Sequence, residues 1–378
     1  MSKKITIGIL GGGQLAKMST LAASQLGFHI AILEKGSGSP AGSLTHREFT
    51  GWVHDTALLK KFAQQCDVIT LENEFVDHHK LEYLEKLGKK VFPSSTTIAL
   101  IQDKLLQKET LAQNNIPVPR FIAVEKHHSF RELSSIVGLP FVLKSRKMGY
   151  DGYGNALVRN EKEFINGAAH LTGRHSNLMA ESFINFTMEL AVMVARTKNE
   201  IAVYPVVQTI QKNHICHTVI APAHIPASVM KEAEAIAIAS VKAVKGIGLF
   251  GVEMFLSEDG TIIVNEMAPR PHNSGHYTIE GCITSQFENH IRAVTGLPLG
   301  STDMLKKFAV MINLLGKKNP QRMKDLYPIA MRNSSLHLHV YGKEQSRVGR
   351  KMGHITMIGN DLKALLKKLT SIEKKIRL

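Results

Sequence analysis

The sequence contains few cysteines and no long apolar run. Its three cysteines, Cys66, Cys216 and Cys282, lie far apart and form no CxxC pair. This pattern argues against a disulfide framework or a structural zinc site and indicates a reducing compartment. Glycines break the apolar run near the N-terminus after six residues, so it is neither a membrane span nor a signal peptide. We therefore expect a cytoplasmic protein without a membrane partner.

Negative charge is also in short supply. The 378 residues include 47 Lys and Arg against 32 Asp and Glu, a formal net charge of +15. We interpret the basic residues as spread along the chain, with only a mild cluster at the C-terminal KKIRL. No recognition motif for nucleic acid accompanies them, so we expect no nucleic-acid partner; phosphorylated small substrates would equally favour a positive cleft.

Strand-like and helix-like segments alternate through the first 95 or so residues. ITIGIL, HIAILE, VITLE and KVFPS have strand patterns, and helical patterns separate them near residues 15–26, 57–65 and 78–87. This alternation predicts a parallel sheet with helices on both faces. It stops after too few strands for a full dinucleotide domain of two halves.

The rest of the chain predicts two further sections. TIALIQDKLLQKETLAQNN predicts one long amphipathic helix, ended by the prolines of NIPVPR. Residues 105–297 hold β-rich runs, IAVYPVVQ among them, and one strong helix, ASVMKEAEAIAIASVKAVKGIG. Residues 298–378 hold short strands and a lysine-rich closing helix. We therefore expect a protein of mixed α/β and α+β class with three domains, 1–104, 105–297 and 298–378.

The stretch IGILGGGQLAKM joins the first strand to the first helix. Gly11, Gly13 and Ala16 fit the G-x-G-x-x-G/A dinucleotide fingerprint, and Glu34 ends the second apolar run. The turn suits an anion because a helix N-terminus exposes free N–H groups. Taken alone, the pattern is typical of an NAD-dependent dehydrogenase, which remains one alternative.

The stretch FVLKSRKMGYDGYGN predicts a phosphate-binding loop. An apolar strand ends at Lys144, and a loop with Gly149, Gly152 and Gly154 follows. Glycines let a loop approach phosphates closely, and the lysine supplies positive charge. The stretch is not a Walker A sequence, since no GK[ST] opens a helix. A mobile surface hairpin with an incidental lysine is the alternative.

The stretch GVEMFLSEDGTIIVNEMAPR predicts a hairpin with SEDG as its turn. If Leu256 faces Thr261, then Glu253 faces Val264, and Glu266 lies two residues along on the same face. Diagonal neighbours of that kind are about 7–8 Å apart, close enough for two carboxylates to share magnesium ions. Both glutamates have apolar neighbours in sequence, where an unpaired carboxylate pair is costly, so we expect a cation.

Three weaker groups of polar residues accompany these motifs. Glu181 ends a strand and Glu189 follows eight residues later, although solvated carboxylates are the default interpretation. PRPHNSGHYT and SRVGRKMGHI concentrate donors that suit an anionic substrate. They supply Arg270, His272, Asn273, Ser274 and His276 in the first stretch and Arg347, Arg350, Lys351 and His354 in the second. Structural histidines and a solvated basic turn are the alternatives.

The order of these features resembles that of the ATP-grasp superfamily: a short nucleotide-like domain, a lysine with a glycine loop, and a paired-glutamate hairpin. Within it, the chain is similar to the 5-(carboxyamino)imidazole ribonucleotide synthase family. The segments that carry the resemblance span nearly the whole chain: GGGQL, LENE, GYDGYGN, NEMAPRPHNSGH with SQFENHIRAVTGLPL, and GRKMGHI. The resemblance implies a Rossmann-like pre-ATP-grasp domain, an ATP-grasp domain and a small β-rich C-terminal domain within the same three ranges.

The resemblance also implies a reaction of purine biosynthesis. ATP, bicarbonate and aminoimidazole ribonucleotide give the N-carboxylated ribonucleotide, ADP and phosphate by way of carboxyphosphate. It implies ATP and Mg²⁺ as cofactors, small-molecule substrates and a homodimer. Such phosphoryl transfer depends on positioning and charge neutralisation more than on covalent protein chemistry. A rival within the superfamily is a formate-dependent ribonucleotide transformylase.

The resemblance assigns residues to ATP. Lys104 and Lys144 neutralise its phosphates, Glu253 and Glu266 bind magnesium, and Glu189 holds the ribose hydroxyls. The backbone that reads adenine is that of Glu181, Ser182, Phe183 and Ile184. The loop that closes over the phosphates consists of Gly149, Tyr150, Asp151, Gly152, Tyr153, Gly154 and Asn155. Two further positions lie beside the nucleotide, Gln211 and Asn265.

The remaining implied roles concern the other two substrates. The candidate catalytic residues around bicarbonate and carboxyphosphate are Tyr150, Asp151, Arg270 and Lys351. The implied contacts of the ribonucleotide are Gln14, His272, Asn273, Arg347 and Lys351. Four departures from the family pattern affect details of these contacts: Lys104 replaces an arginine, Gln211 replaces a histidine, LENEF reorders EFEN, and Ala16-Lys17 replaces a Gly-Arg pair.

Overall fold

The computed structural model describes residues 4–149, 154–172, 177–318, 320 and 322–377. Within them the strands are β1 (Thr6–Leu10), β2 (His29–Glu34), β3 (Glu48–Thr50), β4 (Val68–Leu71), β5 (Lys90–Val91), β6 (Phe121–Val124), β7 (Phe141–Ser145), β8 (Asn155–Val158), β9 (Leu178–Ser182), β10 (Phe186–Arg196), β11 (Ile201–Val203), β12 (Val207–Lys212), β13 (Ile215–Ala221), β14 (Gly248–Ser257), β15 (Ile262–Ala268), β16 (Phe308–Leu315), β17 (His337–Val340) and β18 (Lys351–Gly359).

The helices within the same residues are α1 (Gln14–Gln25), α2 (Thr56–Gln64), α3 (His78–Lys86), α4 (Ser95–Gln102), α5 (Lys104–Gln113), α6 (Phe130–Val137), α7 (Glu161–Thr172), α8 (Ala227–Ala243), α9 (Thr278–Gly281), α10 (Gln286–Thr295), α11 (Met323–Met331) and α12 (Leu362–Glu373). Every helix of the described residues is too short or too polar to span a lipid bilayer.

The first five strands form one parallel sheet in the order β3-β2-β1-β4-β5. β1 and β4 are buried along their whole length, as expected of parallel strands that are covered on both faces. The predicted alternation and parallel sheet are confirmed. β3 was missed because its three residues, EFT, show no periodic pattern. The carboxyl ends of β1, β2 and β4 meet at one edge, where α1 begins.

A smaller antiparallel sheet, β6-β9-β7-β8, carries the predicted phosphate loop between β7 and β8. Helices α6 and α7 cover one face of it, where Leu133 and Leu171 pack on Phe141. Neither helix was predicted from the sequence. A capping box of Ser129 and Glu132 opens α6, and that signal was present in the sequence.

The other strands form a large sheet in the order β15-β14-β10-β12-β13-β16-β18-β17, and β11 pairs with β10. β13 pairs with β16, so the sheet crosses the predicted domain limit at residue 298. α8 covers one face through Ala233, Ala237 and Val241. The hairpin β14–β15, which carries Glu253 and Glu266, lies at one edge of this sheet.

The predicted long helix is wrong: α4 and α5 are two helices divided at Asp103. Asp103 has an extended backbone (φ −102°, ψ 111°), and its side chain accepts hydrogen bonds from Leu105 N and Arg146 Nε, both at 3.0 Å. An aspartate that caps the second helix interrupts the apolar period. IAVYPVVQ likewise forms two strands, β11 and β12, on either side of Pro205, which has no N–H to donate.

The Asp103 cap predicts a loss of stability on mutation. Asp103→Ala removes the cap of α5 and leaves the Arg146 guanidinium without its buried carboxylate, so we expect the unfolding free energy to fall by about 3 kcal/mol. Asp361→Ala removes only the exposed cap of α12 and should cost about 1 kcal/mol. Thermal unfolding followed by circular dichroism compares the two variants; equal losses would contradict a contribution from Arg146.

Candidate active site

A cleft of about 1180 Å³ lies where the two smaller sheets and the hairpin β14–β15 meet. Its lining brings together most of the predicted site residues: Gln14, Lys104, Lys144, Gly149, Asn155, Glu181, Ser182, Phe183, Ile184, Glu189, Gln211, Glu253, Asn265, Glu266, Arg270, His272, Asn273, Arg347 and Lys351. Gly154 is not part of the lining, and its carbonyl accepts a hydrogen bond from Ser145 N (2.8 Å). Tyr150, Asp151, Gly152 and Tyr153 lie outside the described residues.

Glu253 and Glu266 face each other directly across β14 and β15. The predicted register, with Glu253 opposite Val264, is wrong. Met254 pairs with Val264, and the register then shifts by one residue. Asn265 is the extra residue of this β-bulge, so both Asn265 and Glu266 line the cleft, although neighbours on a regular strand point to opposite faces.

The two facing carboxylates differ in their ionisation. Burial and the negative charges of Glu266 and Glu189 raise the pKa of Glu253 to about 8. Burial also opposes the ionisation of Glu266, but the ammonium groups of Lys104 and Lys144 lower its pKa to about 2. Lys104 forms a salt bridge with Glu266. Two facing carboxylates are a donor set that a hard divalent cation such as Mg²⁺ prefers, so this pair could hold one.

Lys144 connects the end of β7 with β9 and with the bulge of β15. Its Nζ lies 2.5 Å from Glu181 Oε1 and donates to Asn265 Oδ1 (3.1 Å). Lys108, which the sequence analysis did not single out, is buried beside the other carboxylate oxygen of Glu181. Its spacing of four residues from Lys104 on a predicted helix was the signal that could have found it.

Glu189 on β10 lines the cleft beside Gln211. Gln211 Nε2 donates to Glu189 Oε2 (2.7 Å), and burial raises the pKa of Glu189 above its ordinary value. Phe186 and Phe255, which the sequence analysis missed, stack with their ring centroids 4.6 Å apart and also line the cleft. An apolar aromatic wall beside a carboxylate suits a planar base and hydroxyl groups. The nucleotide roles of Glu189 and Gln211 stay predictions.

The glycine turn after β1 is occupied by carboxylates of the chain itself. Gly12 N donates to Glu34 Oε2 (2.7 Å), and Gly13 N and Leu15 N donate to Glu72 (2.5 and 3.2 Å). The expectation that this turn is open to an anion is therefore wrong. Glu34, which a dehydrogenase would offer to the ribose of NAD, is bonded to the turn instead. Glu34 ends β2 and Glu72 follows β4, so both lie at the carboxyl edge of the parallel sheet, beside the glycine turn. That shared position was the sequence signal for this contact.

Arg270 and Glu74 link the hairpin to the first sheet. Arg270 Nε donates to Glu74 Oε2 (2.5 Å), and its Nη2 donates to Glu74 Oε1 (3.1 Å), a two-point pair across 196 residues of sequence. Burial opposes the charge of Arg270, but Glu74 raises its pKa. Both side chains line the cleft. Glu74 belongs to the LENE segment, and no role was predicted for it.

His272 and Asn273 lie in the segment that follows β15. The side-chain amides of Asn273 and Asn313 exchange hydrogen bonds of 3.0 and 2.6 Å, a partner that the sequence analysis missed. Burial and the charge of Arg270 lower the pKa of His272 to about 3, so its ring is neutral. His276 is buried and lines the cleft with them. Their roles toward a substrate stay predictions.

The basic residues are spread along the chain, but the net positive charge is concentrated near its end. Residues 301–378 contain 17 Lys and Arg against five Asp and Glu, a net charge of +12 out of +15. Lys343, Arg347, Arg350 and Lys351 from this section line the cleft. They form a basic wall that suits a phosphate group.

Three parts of the chain match known domain families. Residues 4–102 match the ribonucleotide synthetase preATP-grasp domain, residues 109–287 the ATP-grasp domain, and residues 309–368 the phosphoribosylaminoimidazole carboxylase C-terminal domain. The N5-carboxyaminoimidazole ribonucleotide synthase of Synechococcus elongatus is 42% identical over 93% of this chain and 89% of its own length. The chain belongs to the N5-carboxyaminoimidazole ribonucleotide synthase family.

Two other relatives of this chain differ in length. A solved N5-carboxyaminoimidazole synthase of Aspergillus clavatus, in complex with ADP and 5-aminoimidazole ribonucleotide, is 35% identical with a TM-score of 0.91 over 100% of both chains. The phosphoribosylaminoimidazole carboxylase of Ogataea methanolica is 43% identical over 97% of this chain, which spans 69% of its length. The chain spans 64–66% of the length of five further fungal and plant phosphoribosylaminoimidazole carboxylases, which is less than two thirds. The predicted fold and family are confirmed.

The raised pKa of Glu253 predicts that a proton is released if a cation binds to the pair of Glu253 and Glu266. With a pKa of about 8 and no cation, the Glu253 carboxyl group is protonated at pH 7, and it must lose this proton to bind Mg²⁺. We expect the affinity for Mg²⁺ with ADP to rise with pH up to about pH 8. Calorimetry in two buffers of different ionisation enthalpy measures the released proton.

Two variants control this proton measurement. Glu253→Gln should abolish the released proton, because no carboxyl group remains to titrate at that position. Glu258→Gln, in the exposed turn of the same hairpin, should leave the release unchanged. The same proton release from Glu253→Gln and from the unmodified synthase would contradict the assignment.

Proposed function

We infer that this synthase carboxylates 5-aminoimidazole ribonucleotide with bicarbonate and ATP, giving 5-carboxyaminoimidazole ribonucleotide, ADP and phosphate in purine biosynthesis. The observation that carries the proposal is the facing pair of Glu253 and Glu266, beside Lys104 and Lys144, in the cleft of a chain of this family. These four side chains supply the charges that a nucleoside triphosphate and its metal ion require.

In this proposal ATP lies along the part of the cleft between β9 and the hairpin β14–β15. Its base meets the Phe186–Phe255 wall and the backbone of residues 181–184, and Glu189 accepts from its ribose hydroxyls. Lys104 and Lys144 neutralise phosphate oxygens. Glu253 and Glu266 would hold Mg²⁺, which when bound withdraws negative charge from the transferred phosphoryl group.

The reaction has two steps because bicarbonate is a poor electrophile. An oxygen of bicarbonate attacks the γ-phosphorus, the bond to the bridging oxygen breaks, and ADP leaves. The product, carboxyphosphate, is a mixed anhydride whose carboxyl carbon is transferred to the aromatic amine, with release of phosphate and of one amine proton. Arg270, oriented by Glu74, and Lys351 lie where they can neutralise the anions of both steps.

Two alternative functions have less support than the proposed reaction. An NAD-dependent dehydrogenase would need Glu34 and the N–H groups of the glycine turn to bind its dinucleotide. In this chain Gly12 N donates a hydrogen bond to Glu34, so these groups already satisfy each other. A formate-dependent ribonucleotide transformylase would share the nucleotide site, and a requirement for bicarbonate separates it from the proposed reaction.

The proposed reaction predicts ATP hydrolysis that requires both aminoimidazole ribonucleotide and bicarbonate. Glu266→Gln keeps the size of the side chain and removes the charge opposite Glu253, so we expect turnover to fall more than about 100-fold with an unchanged circular dichroism spectrum. Glu258→Gln is the matched control in the same hairpin and should retain normal turnover. ADP release is the measurement. Near-normal turnover by Glu266→Gln, or turnover without bicarbonate, would count against the proposal.

We also place the ribonucleotide beside Gln14, which lines the cleft next to the glycine turn, and this placement predicts a selective effect on ribonucleotide binding. A Cβ at Gly13 would clash with Glu72 Oε1, so Gly13→Ala displaces Glu72 from the turn. We expect the KM for the ribonucleotide to rise about tenfold and the KM for ATP to stay within about twofold. Gly36→Ala, where an added Cβ meets nothing within 4 Å, is the control. Equal changes in the two KM values would contradict this placement.

We also propose that the synthase acts as a homodimer in the cytoplasm. Cys66, Cys216 and Cys282 are buried as free thiols, which supports a reducing compartment. Ile283 and Leu305 are 60% and 53% exposed on adjacent backbone segments, an apolar patch that supports self-association. A monomer in sedimentation velocity measurements would contradict the dimer.

A further inference from the structure

Lys108 lies on α5, one helical turn after Lys104, and its side chain is only 2% exposed. Its Nζ donates a hydrogen bond to the carbonyl of Val264 (3.0 Å) and lies 3.4 Å from Glu181 Oε2. Burial lowers the pKa of Lys108 to about 8, so the ammonium group is still charged at pH 7. A lysine is almost never buried to this extent unless it is paired, and here the partner is Glu181.

The carboxylate of Glu181 is shared between two lysines. Its Oε1 lies 2.5 Å from Lys144 Nζ, and its Oε2 faces Lys108. Burial alone would favour the neutral acid, but the charges of Lys108 and Lys144 lower the pKa of Glu181, which is therefore ionised. One negative charge is thus divided between two positive charges inside a buried cluster.

This sharing matters for Lys144, which must donate to nucleotide phosphates as well as to Glu181. If Lys108 is absent, Lys144 is the one lysine of the described residues that still forms a salt bridge with Glu181, and the attraction of the buried carboxylate acts on the Lys144 ammonium alone. The cluster also loses one positive charge, which makes it less favourable for a phosphate. Both effects weaken the binding of the phosphates and leave the base-binding wall intact.

Lys108 also supports the strand that presents the cleft residues. Val264, whose carbonyl accepts from Lys108, immediately precedes the bulge at Asn265. The Asn265 side chain accepts from Lys144. The ammonium group of Lys108 therefore contacts the two elements that also position Lys144. These are the Glu181 carboxylate on β9 and the backbone of β15.

We propose that Lys108 is a positioning residue that shares the carboxylate of Glu181 and so keeps the Lys144 ammonium available to the phosphates of the nucleotide. The proposal rests on the nucleotide site of the proposed function. Lys108 does not line the cleft, so it acts through Glu181 and Lys144.

Binding of two ligands at pH 7 tests the role of Lys108. Isothermal titration calorimetry measures the Kd of ADP with MgCl₂, which needs Lys144, and of adenosine, which has no phosphate. We expect Lys108→Met to raise the Kd of ADP about tenfold and to leave that of adenosine within about twofold. The KM for ATP should rise by a similar factor while kcat changes less than about threefold.

Further variants separate charge from structure. Lys108→Gln retains a donor for the Val264 carbonyl but has no charge, so it should raise the Kd of ADP as much as Lys108→Met does. In Lys108→Met/Glu181→Gln the carboxylate that holds Lys144 is gone, and the Kd of ADP should return to within about threefold of the unmodified synthase. Lys89→Met, which removes a lysine bonded to the Cys66 carbonyl outside the cleft, is the control and should change neither Kd.

Each outcome of this experiment has one meaning. The role of Lys108 would be overturned by any of three results: an equal rise in the Kd of ADP and of adenosine in Lys108→Met, a normal Kd of ADP in Lys108→Gln, or no recovery of the Kd of ADP in the double variant. Failure of the unmodified synthase to bind ADP would overturn the proposed function instead.

Discussion

Two carboxylates that face each other across a pair of strands constrain the rest of the cleft. Glu253 and Glu266 repel each other when both are ionised, and partial burial makes this repulsion stronger than it would be at a surface. Lys104 offsets the charge of Glu266, and it can do so because α5 starts anew after Asp103. The helix break, the bulge and the buried lysines therefore belong to one electrostatic arrangement.

The cleft is assembled from sections that are distant in sequence and joined by polar contacts. Arg270 and Glu74 join the hairpin to the first sheet, and Lys17 Nζ donates to the carbonyls of Val340 and Tyr341 at 3.1 and 3.2 Å. A hydrophobic cluster that includes residues of α1 and α10 lies behind these contacts. Charged groups in the cleft thus hold one another in place before any ligand binds, which lowers the cost of ordering them on binding.

Elements with a regular local period were predictable from the sequence, whereas those that depend on one residue or on a distant partner were missed. The parallel strands, the strand ending at Lys144 and the glutamate hairpin have periods of two or 3.6 residues. The helix break at Asp103 was missed because a single cap interrupts such a period. The contact of Glu72 with Gly13 joins groups 59 residues apart, so only the common edge of two predicted parallel strands indicates it, and the local period does not.

The bulge at Asn265 reverses the faces to which the following side chains of β15 point. Ile262, Val264 and Met267 all belong to the same buried cluster, although a regular strand would turn Met267 to the opposite side. If β15 ran through Asn265 without a bulge, Asn265 would face Glu253, Glu266 would point into that cluster, and Met267 would point into the cleft. The acid pair therefore depends on this local irregularity of the backbone, because a regular β15 of the same sequence would keep its hairpin and lose the facing glutamates.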